Sequence, residues 1–282
     1  MSGVLYIVAT PIGNLDDITA RAVRVLGEVA LIAAEDTRHS RILLSHFNIK
    51  TPMFSCHKFN EGKRGDFFVS ALLEGRDVAL ISDAGTPCIS DPGHRLVSQA
   101  AAAGVQIVPI CGASAVVSAL SVAGFEASRF IFLGFLPRGK AAVKEITNAL
   151  SSVETVVFYE SPRRILDTLS QIKKIIPHAQ ICLCNDISKK FERVYRGTAE
   201  EILEELSQAS YEKGEYTCVV NFQNFHTDEP APVDMPSLEA QLIDIIVKQH
   251  CTLKDASRKL HEASKIPKKE IYAAMLRLKD LP

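Results

Sequence analysis

Three turns in the first 115 residues place small, polar and glycine residues directly behind apolar runs, which is how a ligand crevice is built. They are Ala9-Thr-Pro-Ile-Gly-Asn14-Leu-Asp-Asp-Ile18, Ile81-Ser-Asp-Ala-Gly-Thr-Pro-Cys-Ile-Ser-Asp-Pro-Gly93 and Ile110-Cys-Gly-Ala-Ser-Ala115. In open α/β sheets ligands bind beyond the carboxyl ends of the strands, so three such turns converge on one crevice. A glycine turn closes any βα unit and one alone says nothing. Three rich in Asp, Ser and Thr point to a site. The chain has no GxxxxGK(S/T) loop and no GxGxxG behind a strand, which argues against a nucleoside triphosphate or a dinucleotide. HExxH and GxSxG are absent too.

These turns punctuate a regular alternation of elements. Near-continuous apolar runs at 4–9, 30–34, 53–57, 78–82 and 105–110 predict strands covered on both faces. Helical patterns at 19–26, 38–47, 65–73 and 94–103 lie between them, a rhythm that predicts a mainly parallel α/β sheet. The second half is less regular. Strands are predicted at 130–133, 155–159, 180–184, 192–196 and 217–222, and helices at 141–150, 162–175 and 199–209. The strands at 180 and 192 leave no room for a crossover helix, so they pair antiparallel. Ser161-Pro162 reads as a capped helix start and Thr198-Ala-Glu-Glu201 as a capping box.

A proline-rich acidic stretch at 226–236 reads as a linker. Beyond it, 238–249, 253–263 and 267–278 read as three short amphipathic helices. The tail from residue 237 holds nine lysines and arginines against six acids, although the whole chain has a formal net charge of -1. Any RNA contact is therefore local rather than a property of a global basic field. The expected organisation is an α/β domain at 1–115, a second at 116–226, a linker at 227–236 and a small basic helical domain at 237–282. Seven cysteines without a CxxC pair fit reduced, mostly buried thiols and no metal site. No basic leader and no apolar run of membrane-spanning length are present, so a soluble cytoplasmic protein is expected.

The turn Thr10-Pro-Ile-Gly-Asn-Leu-Asp-Asp-Ile-Thr19 and Ala34-Glu-Asp-Thr-Arg38 resemble the ribosomal RNA small subunit methyltransferase I family. So do the segment 82–93, Gly134-Phe-Leu-Pro-Arg138, Phe158-Tyr-Glu-Ser-Pro-Arg-Arg164, the stretch 189–197 and Lys213-Gly-Glu-Tyr216. The resemblance runs in order through essentially the whole chain. It implies a two-domain tetrapyrrole-methylase-like α/β fold, a homodimer, and S-adenosylmethionine as methyl donor with no metal. The implied acceptor is the 2'-hydroxyl of a cytidine in the decoding region of 16S rRNA, in the small ribosomal subunit.

Carried over residue by residue, the resemblance implies that Pro11, Ala84, Gly85, Thr86, Ile89, Ser114 and Ala115 touch the donor. Tyr159, Glu160 and Asp186 supply the remaining wall. The wider superfamily has Gly-Asp-Pro where this chain has Gly85-Thr86-Pro87, and Asp83 stands three residues before Thr86. Which of the two reaches the donor is open at this point.

A ribose hydroxyl attacks well only as its proton leaves, so a base is expected nearby. Glu35, Asp36, His57 and Asp83 each stand next to a predicted strand end, and Asn14 faces the crevice or merely forms its turn. Glu35-Asp36 with Arg38 orients substrate, or else Asp36 caps the following helix and pairs with Arg38 on the surface. His57-Lys58-Phe-Asn-Glu-Gly-Lys-Arg64 mixes charge and an aromatic as a base-stacking loop would. Arg138, Arg163, Lys268 and Lys269 are further RNA candidates, the last two on a helix of the basic tail. Two rival readings remain: a methylase of a tetrapyrrole precursor, and a non-catalytic RNA-binding protein that kept the fold.

Overall fold

The computed structural model describes residues 2–208, 213–222, 237–249, 251–264, 266 and 268–279. The expected linker lies outside them. The chain divides into two compact units, residues 1–225 and 226–282.

The first unit holds two five-stranded sheets. One contains β1 (Val4–Val8), β2 (Leu31–Ala34), β3 (Met53–Ser55), β4 (Val78–Ile81) and β5 (Gln106–Ile110), in the order β3-β2-β4-β1-β5. Every pairing in it is parallel. β2 and β4 are buried along their whole length because successive side chains serve opposite layers. Leu31, Ala33, Val78 and Leu80 meet Phe68 and Leu72 of α3 (Glu61–Leu73) and Leu96 and Ala100 of α4 (His94–Ala102). Ile32, Ala34, Ala79 and Ile81 meet Ala22, Val25 and Leu26 of α1 (Ala20–Glu28) and Leu44 of α2 (Thr37–His46). Such two-sided burial is why these strands read as unbroken apolar runs. The neighbours β4, β1 and β5 deliver their carboxyl-terminal turns side by side.

The second sheet is mixed. β6 (Phe130–Phe135), β7 (Thr155–Glu160), β8 (Gln180–Asn185), β9 (Arg193–Gly197) and β10 (Tyr216–Asn221) run in the order β6-β7-β10-β8-β9. Only β6 and β7 pair in parallel; β8 and β9 are antiparallel neighbours. Its layer of helices is α6 (Lys140–Leu150), α7 (Pro162–Ile175) and α8 (Ala199–Ser207), packed through Ile146, Ile165, Leu169 and Ile202. The other face takes a helix not expected from sequence, α5 (Ala115–Ala123). It leaves the first sheet after β5, yet Val116, Ala119 and Leu120 pack on Val157, Cys182 and Val219 of the second. Its sequence, Ala-Val-Val-Ser-Ala-Leu-Ser-Val-Ala, has no polar face and so shows no helical period.

Some caps follow local chemistry, whereas Asn60, Ser114 and Ser161 stand at N-caps without a side-chain capping bond. Thr198 and Glu201 form the capping box. Ser161 occupies the N-cap of α7 before Pro162, but its hydroxyl makes no capping bond. Glu61 has a long-range role: its Oε1 accepts from the backbone N–H groups of Gly93 at 3.0 Å and Arg95 at 2.7 Å. A carboxylate buried to 1% exposure thus closes the start of α4 and fixes the end of the 82–93 turn.

The second unit packs α9 (Leu238–Gln249), α10 (Leu253–Ser264) and α11 (Lys268–Lys279) around Leu242, Ala256, Leu260, Ile271 and Ala274. Thr252 caps α10 by accepting from Asp255 N–H at 3.2 Å. Arg277 pairs with Glu239 at 2.5 Å, tying α11 to α9.

Glu61→Ala leaves two backbone donors without a partner, so it is expected to lower stability by about 2–4 kcal/mol. Urea denaturation followed by circular dichroism measures this, and a loss within error of zero would show that the turn holds itself.

Candidate active site

Hydrogen bonds join the first two turns into one floor. Thr10 N–H donates to Gly85 O at 2.9 Å and Gly85 N–H returns to Thr10 O at 3.0 Å. The Thr10 hydroxyl donates to Ser82 O at 3.2 Å. Glycine suits position 85 because its φ is +75°, and an added Cβ would make a tight 3.3 Å contact with Ile12 Cγ2. The third turn joins through Thr86, whose hydroxyl donates to Ala113 O at 3.4 Å.

Above this floor lies a cavity of about 360 Å³. The first sheet contributes Ile12, Ala84, Gly85, Thr86, Ile89, Ser90, Asp91, Ser114 and Ala115. The second contributes Phe135, Tyr159, Glu160, Ser161 and Pro162, with Gly214–Thr217 completing the wall. Of the expected donor residues, Ala84, Gly85, Thr86, Ile89, Ser114, Ala115, Tyr159 and Glu160 are thereby brought together. Pro11 and Asp83 instead line an adjoining cavity of about 290 Å³, which shares Ile12, Ala84 and Glu215 with the first. Thr86 and Asp83 therefore face different spaces.

Asp186 stands one step behind the wall. Its N–H donates to Glu215 O at 2.9 Å and its Oδ1 accepts from Glu215 N–H at 3.2 Å. Lys189 Nζ sits 3.0 Å from both Asp186 Oδ1 and Glu215 Oε2. Burial works against the Lys189 charge, and these two hydrogen bonds outweigh it, so its pKa stands above the ordinary lysine value. Gly214, at φ +96°, has no room for a side chain, since a Cβ would fall 2.5 Å from Asp186 Oδ2. Glu160 is similarly committed to structure. It is buried, bridges to Arg164 Nε at 3.1 Å, and accepts from Thr168 Oγ1 at 2.9 Å and Ser161 N–H at 2.8 Å. Burial, with Asp91 and Glu215 nearby, pushes the Tyr159 phenol up to about 12, so it stays a hydrogen-bond donor.

The candidate acids separate by environment. Asp36 caps α2 through Arg38 N–H at 2.8 Å and pairs with the Arg38 guanidinium at 2.8 Å, which holds its carboxyl well below the usual range. Arg38 projects into solvent. Asp83 lies deeper: its Oδ1 accepts from Asp36 N–H at 3.1 Å, and its N–H donates to Glu35 Oε2 at 3.4 Å. Burial, and then Asp83 and Asp36, raise the Glu35 pKa against that hydrogen bond. Asn14 lines the smaller cavity while its Oδ1 accepts from Asp16 N–H at 3.1 Å. The carbonyl of Gly85 accepts from the Thr10 N–H and, at 3.4 Å, from the Thr10 hydroxyl.

His57, Lys58, Arg138 and Arg163 line neither cavity. His57 caps its own loop, accepting from Phe59 N–H at 3.2 Å. Ile12, Ser90, Asp91, Phe135 and Glu215 line the larger cavity without having been singled out from sequence. All five lie inside the motifs named above, Asp91 in the turn after β4 and Glu215 directly before β10, so their signal was position at a strand end rather than residue type. In the second unit, Lys254, Arg258, His261, Lys268, Lys269 and Tyr272 border one groove.

Burial, and then the charges of Glu35 and Asp83, push the Asp91 carboxyl up to about 6. A folded pKa above the unfolded one means that the folded protein holds the proton more tightly. That advantage is complete below about pH 4 and is lost as pH rises through the folded value. The melting temperature of Asp91→Asn should therefore gain on that of the parent between pH 5 and 7.5, as read by differential scanning fluorimetry. A constant gap would show that Asp91 is solvated like an ordinary aspartate.

Residues 4–203 match the family described as Tetrapyrrole (Corrin/Porphyrin) Methylases. The chain is 42% identical over 281 residues to ribosomal RNA small subunit methyltransferase I of Pseudomonas aeruginosa, covering 98% of this chain and 97% of that protein. The same protein of Pasteurella multocida is 42% identical over 276 residues, 96% of each chain. Among solved structures, a diphthine synthase superposes with a TM-score of 0.60 at 14% identity, over 79% of this chain and 92% of that one. Uroporphyrin-III C-methyltransferase from Thermus thermophilus, complexed with S-adenyl homocysteine, gives 0.56 at 15% identity, over 78% and 97%. The two-sheet architecture and near-full-length identity agree: this chain belongs to the tetrapyrrole methylases and, within them, to the ribosomal RNA small subunit methyltransferase I family.

Proposed function

We propose that this chain transfers a methyl group from S-adenosylmethionine to the 2'-hydroxyl of a cytidine in the decoding region of 16S rRNA. Family membership carries the coarser part, a donor-dependent rRNA methyltransferase. The observation that carries the rest is a pair of adjoining cavities with a shared wall at Ile12, Ala84 and Glu215.

The larger cavity fits the donor. Its volume of about 360 Å³ lies in the usual range for small-molecule sites. Ala84, Gly85 and Ala115 keep one side free of bulk, and Asp91 gives a cationic ligand a carboxylate partner. Thr86 and Ser114 offer hydroxyls, and Tyr159 a phenol that remains protonated. S-adenosylmethionine, when bound, supplies a methyl already activated on a sulfonium.

The protein's own work is then alignment, exclusion of water and removal of one proton. Alignment of reactants in a closed site can lower a barrier by about 7–11 kcal/mol. We assign the proton to Asp83, which lines the smaller cavity next to the shared Ala84. The Asp36 amide orients it and Glu35 backs it. The ribose oxygen would take the methyl as the donor's carbon–sulfur bond breaks and a neutral thioether leaves, and the Asp83 carboxylate would accept the ribose proton and pass it to solvent.

Further features belong to this reading. Residues 1–115 and 116–226 act as the two lobes around the donor. Exposed Val117 and Val122 on α5 offer an apolar face to a second copy, giving a homodimer. No helix among the described residues is long and apolar enough to cross a membrane, and we place the enzyme in the cytoplasm with its small-subunit substrate. The groove of the second unit, with Lys268 and Lys269, contacts RNA phosphates.

Labelled donor with small ribosomal subunits should put one methyl on a cytidine ribose, located by mass mapping. Label on a tetrapyrrole precursor instead would overturn the reading. Asp83→Asn should lower kcat by about 10²–10⁴-fold while donor affinity holds, since it removes the base and not the donor cavity. Changing Lys268 and Lys269 together to alanine should weaken subunit binding and reduce the salt slope of log K by about two, if each meets one phosphate. An unchanged slope in filter binding would remove the second unit from the RNA interface.

A further inference from the structure

The smaller cavity contains a polar atom that the folded protein does not use. Ser40 lies on the inner side of α2 at 3% exposure, and its Oγ has no hydrogen-bond partner among the described residues. A helical serine ordinarily relieves this by bonding the carbonyl four residues back. Here Asp36 O receives only the Ser40 backbone N–H, at 3.0 Å. Leaving a buried hydroxyl unpaired is unfavourable, and alanine would fit the same place without that cost. Ser40 lines the cavity, so a ligand entering there can satisfy it.

The rest of the lining defines that ligand. Pro11, Ile12, Ile42 and Leu43 form apolar walls suited to the faces of a ring. Asn14 has its Oδ1 held by Asp16 N–H, which leaves its amide nitrogen as a donor. Lys189 stands at the edge with two of its three N–H groups engaged by Asp186 and Glu215. Asp83 and Glu215 make the cavity hostile to a polycarboxylate, and about 290 Å³ is too small for stacked bases or a macrocycle. Uncharged donors between apolar walls, with one cation at the edge, match a single nucleotide taken out of its stack.

We propose that this cavity is the acceptor-nucleotide subsite, in which Ser40 and Asn14 hydrogen-bond the unstacked cytidine and Lys189 faces its phosphate. The proposal rests on the methyl-transfer reading above and names the residues that select its acceptor. Asp83, on the same lining, then meets the sugar oxygen that reacts.

Ser40→Ala tests it with little risk to the fold, since it removes an unpaired buried group. Methyl transfer to small ribosomal subunits gives kcat and KM separately, and calorimetry gives donor affinity. The expected result for Ser40→Ala is about a tenfold loss in kcat/KM, the usual effect of losing one substrate hydrogen bond, with the donor Kd within twofold and the Tm unchanged or higher. Ser40→Leu, which fills the cavity, should abolish transfer while donor binding persists. The subsite is overturned if both variants keep kcat/KM within twofold of the parent, or if Ser40→Ala weakens the donor as much as the acceptor. If the parent protein itself methylates no ribose, the functional reading fails first, and the two failures are told apart.

Discussion

The reciprocal pair of backbone hydrogen bonds between Thr10 and Gly85 sets the position of every other part of the site. It fastens the turn after β1 to the turn after β4, strands that are neighbours in the sheet but lie some seventy residues apart in sequence. Once those turns are joined, Ile12 lies over Gly85, whose φ of +75° strains any residue with a side chain. The cavity floor is thus backbone, already satisfied, and rigid in the sense that its polar groups have no competing partners. Specific chemistry is left to the side chains around it.

Those side chains fall into two electrostatic classes. Glu160, Asp36 and Glu61 are held by an arginine, by helix-start amides or by both, and their charge is neutralised within the structure. Glu35 and Asp91 make no salt bridge among the described residues; Asp83 raises the cost of ionising both, Glu35 that of ionising Asp91, and the nearby His39 offsets Glu35 only in part. A site with uncompensated negative charge suits a positive ligand and a group that must accept a proton. The same distinction explains why Asp186, behind the wall, shapes the site through Lys189 and Gly214 rather than by lining it.

Much of this was legible in the sequence, for physical reasons that can be named. The parallel strands showed as apolar runs because both faces are covered, and the three turns showed because glycine and proline mark where such strands stop. The capping box at Thr198 was readable because it is local. What escaped was whatever depends on tertiary partners. α5 has no period because its apolar residues face all directions. Ser161 stands where a cap should, but Glu160 takes its amide and no capping bond forms. Arg38 pairs with the aspartate two residues before it, as the local sequence allowed. Asp83 and Thr86 could not be told apart until the turn between them was seen to point one at each cavity. Ser40 carried no signal at all, since nothing local marks a hydroxyl as unpaired.

The course of α5 has a consequence for how the larger unit comes apart. Its first residues, Ser114 and Ala115, bound the cavity on the side of the first sheet, while its body is embedded in the core of the second. Loss of packing in the second sheet therefore releases the helix whose first residues bound the cavity. Heat or denaturant that loosens that distal sheet opens the cavity in the same step.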